Sequence, residues 1–104
     1  MKTPIPLGAR AIAERLAALQ RVAPGWRVKA KSLRVTYEFS DFVAAFGFMT
    51  QVALVAERMK HHPDWTNGYK KVSIVLSTHE AGGLTELDFR LARSISTIAR
   101  PLLA

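Results

Sequence analysis

The chain alternates apolar and polar residues in two stretches, and it repeats apolar residues with a helical period in three others. Ile12, Leu16 and Leu19 share one face over Ala9–Val22, which predicts a first helix stopped by Pro24-Gly25. Trp26, Val28 and Ala30 then fall on one side against Arg27, Lys29 and Lys31. Leu33, Val35, Tyr37 and Phe39 oppose Arg34, Thr36 and Glu38. With a turn near Lys31-Ser32 this is a hairpin with one buried side. A second helix is capped by Ser40 or Asp41 and runs to about Lys60, because Pro63 drives His62 out of helical geometry. Asp64 to Thr66 is a short strand, and Asn67-Gly68 is a good tight-turn pair. Val72, Ile74, Leu76 and Thr78 alternate with Ser73, Val75, Ser77 and His79, so His79 is expected to end a strand. Gly82-Gly83 turns the chain. Thr85 and Asp88 have capping-box spacing, Leu84 and Phe89 staple spacing, and Glu86 and Arg90 ion-pair spacing, so they open a third helix that Pro101 ends. The opening from Thr3 to Leu7 holds two prolines and is expected to be an extended arm.

The predicted class is α+β. A four-stranded antiparallel sheet has three helices on one face, in the order α-β-β-α-β-β-α. The second helix stands apart from the others. Phe42, Val43, Phe46, Phe48, Met49, Val52, Leu54, Val55 and Met59 are too many for one stripe, so the helix must bury more than one side. In so small a domain another subunit is the natural cover. A homo-oligomer is therefore expected, with dimer and tetramer both open.

Composition narrows the function classes. The 104 residues suit one domain spanning 1–104, and 49% apolar residues argue against disorder. There is no cysteine, which excludes disulfides and thiolate metal sites. No apolar run free of charges reaches transmembrane length, and Arg10, Glu14 and Arg15 interrupt any leader-like segment. The expected location is the cytoplasm, away from membranes. The net charge of +7 would attract acidic partners, but no block of five like charges occurs. That scatter speaks for a basic solvated surface and against direct nucleic-acid binding.

All three histidines, His61, His62 and His79, lie within nineteen residues. Imidazole exchanges protons readily near neutral pH, and a helix C-terminus favours a positive charge, so His61 and His62 suit proton donation. Solvated histidines decorating a helix end are the alternative, and the residues alone leave both open. A three-imidazole metal site is disfavoured, since adjacent side chains in an extended segment diverge and no i,i+4 histidine pair exists. Asp88 completes the cap with Thr85 and could also orient a histidine. Trp65 and Phe48 read as packing residues, though an aromatic beside His62 could wall a flat ring. Glu57 reads as a solvated helix residue.

The motifs resemble one known family. Phe39-Ser40-Asp41-Phe42 with Ala45-Phe46-Gly47-Phe48-Met49, His61-His62-Pro63-Asp64-Trp65 with Asn67 and Tyr69, Leu76-Ser77-Thr78-His79-Glu80, and Gly83-Leu84-Thr85 with Asp88 are similar to pterin-4a-carbinolamine dehydratases. The resemblance implies the same α+β fold. It also implies dehydration of 4a-hydroxytetrahydrobiopterin to quinonoid dihydropterin in tetrahydrobiopterin recycling, and a functional link to an aromatic amino acid hydroxylase. It implies no metal and no bound cofactor. Carried over by motif, His61 and His79 are proton donors, His62 mainly holds the pterin, and Asp88 polarises a histidine. Pro63, Trp65 and the segment Thr78, His79, Glu80 and Ala81 would line the substrate pocket. Lys60 departs from the acidic residue often found before the histidine pair, which bears on how the acid is tuned. Some relatives act as dimerisation cofactors or transcriptional coactivators, so an interaction module using the 42–59 helix is the alternative reading.

Overall fold

In the computed structural model, which describes residues 4–104, the chain runs α1 (Ala9–Val22), β1 (Arg27–Lys29), β2 (Ser32–Glu38), α2 (Phe42–Met59), β3 (Asp64–Gly68), β4 (Lys71–Leu76) and α3 (Glu86–Ala99). A short 3-10 turn at His79–Ala81 lies between β4 and α3, and another at Arg100–Leu102 follows α3. The expected arm begins at Thr3, outside the described residues; its later part lies in no helix or strand, and the Leu7 N–H donates to the Leu84 carbonyl at 2.8 Å.

The strands form one antiparallel sheet in the order β1-β2-β4-β3. Alternation decides its two faces. Leu33, Val35, Val72, Ile74 and Leu76 are buried under the helices, whereas Arg34, Thr36 and Lys71 are exposed on the open side. The largest sealed side chains, Trp26, Phe39, Phe48 and Phe89, fill the layer between sheet and helices. The Trp26 indole N–H donates to the Ser96 hydroxyl at 2.7 Å, so its polar atom is satisfied inside that layer.

Capping chemistry sets the helix starts. The Asp41 carboxylate accepts the Ala44 N–H at 2.7 Å and opens α2. Thr85 and Asp88 form a complete capping box at the start of α3. In α2, Ala45, Phe48, Val52 and Ala56 face the core, but Phe42, Val43, Phe46 and Leu54 are exposed. The helix is long and apolar enough to meet a membrane-span criterion by length and composition, yet Glu57 and Arg58 sit in its last turn and it packs along α3.

Four local expectations are corrected. The first hairpin turns at Ala30-Lys31, one residue early, because Ala30 takes a left-handed φ of 55° and Ser32 already pairs with Lys29. The second turns at Tyr69-Lys70 rather than Asn67-Gly68. Asn67 and Gly68 remain in β3, and the Asn67 amide donates to the Tyr69 and Lys71 carbonyls at 3.1 and 2.9 Å, bracing the turn from its base. β4 stops at Leu76, so His79 opens a 3-10 turn instead of ending a strand. Glu86 pairs with Arg15 of α1, not with Arg90 one turn along. The Arg15 guanidinium donates two bonds of 2.9 and 2.8 Å to the two carboxylate oxygens. Those hydrogen bonds hold the Glu86 carboxyl below its usual range and raise the already high Arg15 value.

Candidate functional site

The end of α2 is pinned to the start of α3. At the end of α2 Lys60 adopts φ 53° and ψ 40°, the left-handed conformation that usually falls to glycine. The Lys60 N–H then reaches the Glu57 carbonyl at 3.2 Å and the His61 N–H the Ala56 carbonyl at 3.1 Å. This is the hydrogen-bond pattern of a Schellman motif, and it fixes the direction in which the chain delivers His61.

His61 is buried, with 6% of its surface exposed, and Asp88 is sealed at 0%. The His61 Nε2 lies 2.6 Å from Asp88 Oδ1. The other carboxylate oxygen accepts the Thr78 hydroxyl at 2.8 Å and the Thr85 N–H at 2.9 Å. A carboxylate can only accept, so the hydrogens along this cluster are ordered. Thr78 gives its proton to Asp88, Thr85 gives its proton to Thr78 at 2.8 Å, and the Thr85 oxygen accepts the Leu87 N–H at 3.2 Å. Nε2 of His61 therefore carries a hydrogen, leaving Nδ1 to exchange protons. Nδ1 makes no hydrogen bond among the described residues. Among the described residues no sealed side-chain nitrogen or oxygen lacks a partner, so Nδ1 is the ring nitrogen left open.

His61 lines a solvent-open cleft of about 250 Å³ together with His62, Pro63, Ser77, His79 and Glu80. The other two imidazoles also face carboxylates. His62 Nε2 is 2.9 Å from Glu57 Oε1, and His79 Nε2 is 3.6 Å from Asp64 Oδ2. Both of these pairs are largely exposed. The cleft is thus ringed by three imidazole–carboxylate pairs, one buried and two open to solvent. Among the described residues no three His, Cys, Asp or Glu side chains gather with metal-ligand spacing.

Of the residues expected at the site, His61, His62, Pro63, His79 and Glu80 come together around this cleft. Asp88 lies beneath it, behind His61. Thr78 is 1% exposed and holds Asp88 rather than presenting an open surface. Trp65 sits on the helix side of β3 and packs against the core, and Ala81 lies beside the cleft in the 3-10 turn without lining it. Glu57 and Asp64 were not expected as partners. Glu57 lies five positions before His62, a spacing that meets only because the Schellman turn folds the chain back. Asp64 reaches His79 only across the β3–β4 pairing.

The match to known proteins covers the whole of this arrangement. The sequence model for pterin 4 alpha carbinolamine dehydratase matches residues 6–98. The chain belongs to that family. A relative from Synechococcus sp. (strain WH7803), provisionally named pterin-4-alpha-carbinolamine dehydratase, is 52% identical over 80 residues, 77% of this chain and 86% of the relative. One from Bradyrhizobium diazoefficiens (strain JCM 10833 / BCRC 13528 / IAM 13628 / NBRC 14792 / USDA 110), with the same provisional name, is 62% identical over 65 residues, 62% of this chain and 65% of the relative. Among solved structures, a transcriptional coactivator/pterin dehydratase from Brucella melitensis superposes with a TM-score of 0.84 at 41% identity, covering 90% of this chain and 98% of the other. A pterin dehydratase-like RuBisCO assembly factor of the alpha-carboxysome shares the fold at a TM-score of 0.64 and 22% identity, over 75% of this chain and 93% of the other. Within the pterin 4 alpha carbinolamine dehydratase fold, the histidine cleft therefore lies where α2, β3 and the turn after β4 converge.

Proposed function

We propose that the protein dehydrates pterin-4a-carbinolamine, 4a-hydroxytetrahydrobiopterin in the recycling of tetrahydrobiopterin, using imidazoles as acid and base. One observation supports this above the others: His61 has Nε2 committed to a buried carboxylate and Nδ1 open beside a cleft ringed by two further imidazoles. The reaction needs that set of groups. The 4a hydroxyl leaves as water once an imidazolium protonates it. The N5 lone pair forms the new C=N bond, and the N5 proton passes to a neutral imidazole. The products are quinonoid dihydropterin and water. His61 and His79 are the donors in this scheme, and His62 holds the ring. The scheme uses no metal, and each imidazole faces its own carboxylate.

The test is direct. A hydroxylase generates the carbinolamine, the protein is added, and its ultraviolet loss is followed. Dehydration is expected to accelerate equally with and without a chelator. Loss of activity on chelation, restored by zinc, would overturn the metal-free scheme, and no acceleration would overturn the assignment.

A second reading rests on the exposed Phe42, Val43, Phe46 and Leu54 of α2. So many large apolar groups on one helix mark an interaction surface. We infer that a second copy of the chain covers it, and light scattering at micromolar concentration is expected to give a multiple of the 11.5 kDa chain mass. A monomer would count against self-association and against a partner module on the same face.

A further inference from the structure

A second cleft of about 490 Å³ opens on the uncovered face of the sheet and shares Asp64, Ser77 and His79 with the histidine cleft. Its far wall is cationic, with Lys31 and Arg34 from the β1–β2 hairpin. The pairing places Arg27, Arg34, Val75 and Asp64 in one row across the four strands. Two strand spacings separate Arg34 from Asp64, about 10 Å between Cα atoms. A long side chain on Arg34 spans most of that distance.

Two features of this wall are unexplained by folding. Arg27 stands directly opposite Arg34, and like charges in a cross-strand pair destabilise a sheet. Neither has a carboxylate within salt-bridge distance among the described residues, nor do Lys29 and Lys31. Arg34 is also oriented. Its Nε donates to the Ser32 hydroxyl at 2.8 Å, and that hydroxyl donates to the Lys29 carbonyl at 2.8 Å. The guanidinium is thus fixed through Nε, and among the described residues its two terminal nitrogens make no hydrogen bond. The one acidic group in the row, Asp64, faces His79 instead.

We propose that this groove takes a phosphate monoester carried on a short side chain of the pterin, with Arg34 and Lys31 as the residues that select it. The inference rests on the proposed dehydratase site, since the ring must occupy the histidine cleft for its side chain to run past Asp64 and Ser77 onto the sheet. A phosphate suits the wall because two free guanidinium nitrogens bind two of its oxygens side by side, while Lys31 adds a point charge. It also relieves the Arg27–Arg34 repulsion.

Calorimetric titration with 7,8-dihydroneopterin and its 3′-monophosphate separates the two ideas, because the compounds differ only in the phosphate. The phosphorylated compound is expected to bind about tenfold tighter at low salt, with the advantage shrinking as salt rises. Arg34→Gln and Lys31→Gln are each expected to remove most of that advantage, with the loss confined to the phosphorylated compound. Lys31 lies in the exposed turn and pairs in no strand, so its variant leaves the sheet register intact and guards against a folding artefact. Equal affinity of the two compounds for the wild-type protein would overturn the phosphate groove and leave the dehydratase reading standing. Equal weakening of both compounds in the variants would also overturn it, as would inorganic phosphate alone binding as tightly as the phosphorylated pterin. Binding of neither pterin would overturn both proposals.

Discussion

Replacing Asp88 by asparagine is expected to lower kcat/KM for carbinolamine dehydration by about 10²-fold or more, the scale of a lost acid–base function. The substitution keeps the side chain's size and removes its charge. The carboxylate accepts three donors, from His61, Thr78 and Thr85, at 2.6, 2.8 and 2.9 Å. An asparagine offers one oxygen and turns an N–H₂ group toward at least one of those donors. Hydrogen bonds to a charged group are worth about 1.5–3 kcal/mol, so a loss near 2 kcal/mol and a fall in melting temperature of roughly 10 °C are expected. Lost stability alone would not lower activity in a sample that is still folded. Thr78→Val makes that distinction, because it removes one bond to Asp88 and leaves the His61 contact in place. It should destabilise by a similar amount with a much smaller loss of rate. Circular dichroism melts, with initial rates taken well below the lower melting point, check this. Equal rate losses in the two variants would show that Asp88 acts only through folding.

The second large effect concerns the two faces of the substrate. C4a is a stereocentre, so the hydroxyl can leave from either side of the ring. His61 enters the cleft from the end of α2, while His79 enters from the 3-10 turn after β4. One donor cannot reach both faces unless the ring turns over. His61→Ala and His79→Ala are therefore expected to show opposite preferences between the 4a epimers, each losing about 10²-fold on the face it serves. Single-turnover rates with resolved epimers are the measurement. Equal loss of both epimers in each variant would mean that the histidines work as one unit.

Much of the architecture was legible in the sequence because it depends on local periodicity and capping. The strand alternation from Leu33 to Phe39, the stop before Pro63 and the Thr85–Asp88 box are each written within a few residues. The misplacements share another cause. Asn67-Gly68 has the composition of a turn, but side-chain bonds to two carbonyls let Asn67 support the turn from within β3. Glu86 sits one turn from Arg90 yet meets Arg15, which packing brings from 71 positions away. The candidate site followed the same rule. The histidines announced themselves by type and clustering. Their carboxylate partners did not, since Glu57 needed the Schellman turn and Asp64 the sheet register. Asp88 was visible as a cap, while its hold on His61 depends on α2 ending where α3 begins.

The capping box has a consequence for how the protein breathes. The same carboxylate that accepts the Thr85 N–H also holds the His61 ring, so fraying the first turn of α3 and releasing the imidazole are one event. Local openings of this kind differ widely in free energy within a single domain. The amide proton of Thr85 then becomes a reporter. Its exchange with deuterated solvent measures how often His61 is set loose, and a ligand that steadies the ring should slow that exchange from the far side of the carboxylate.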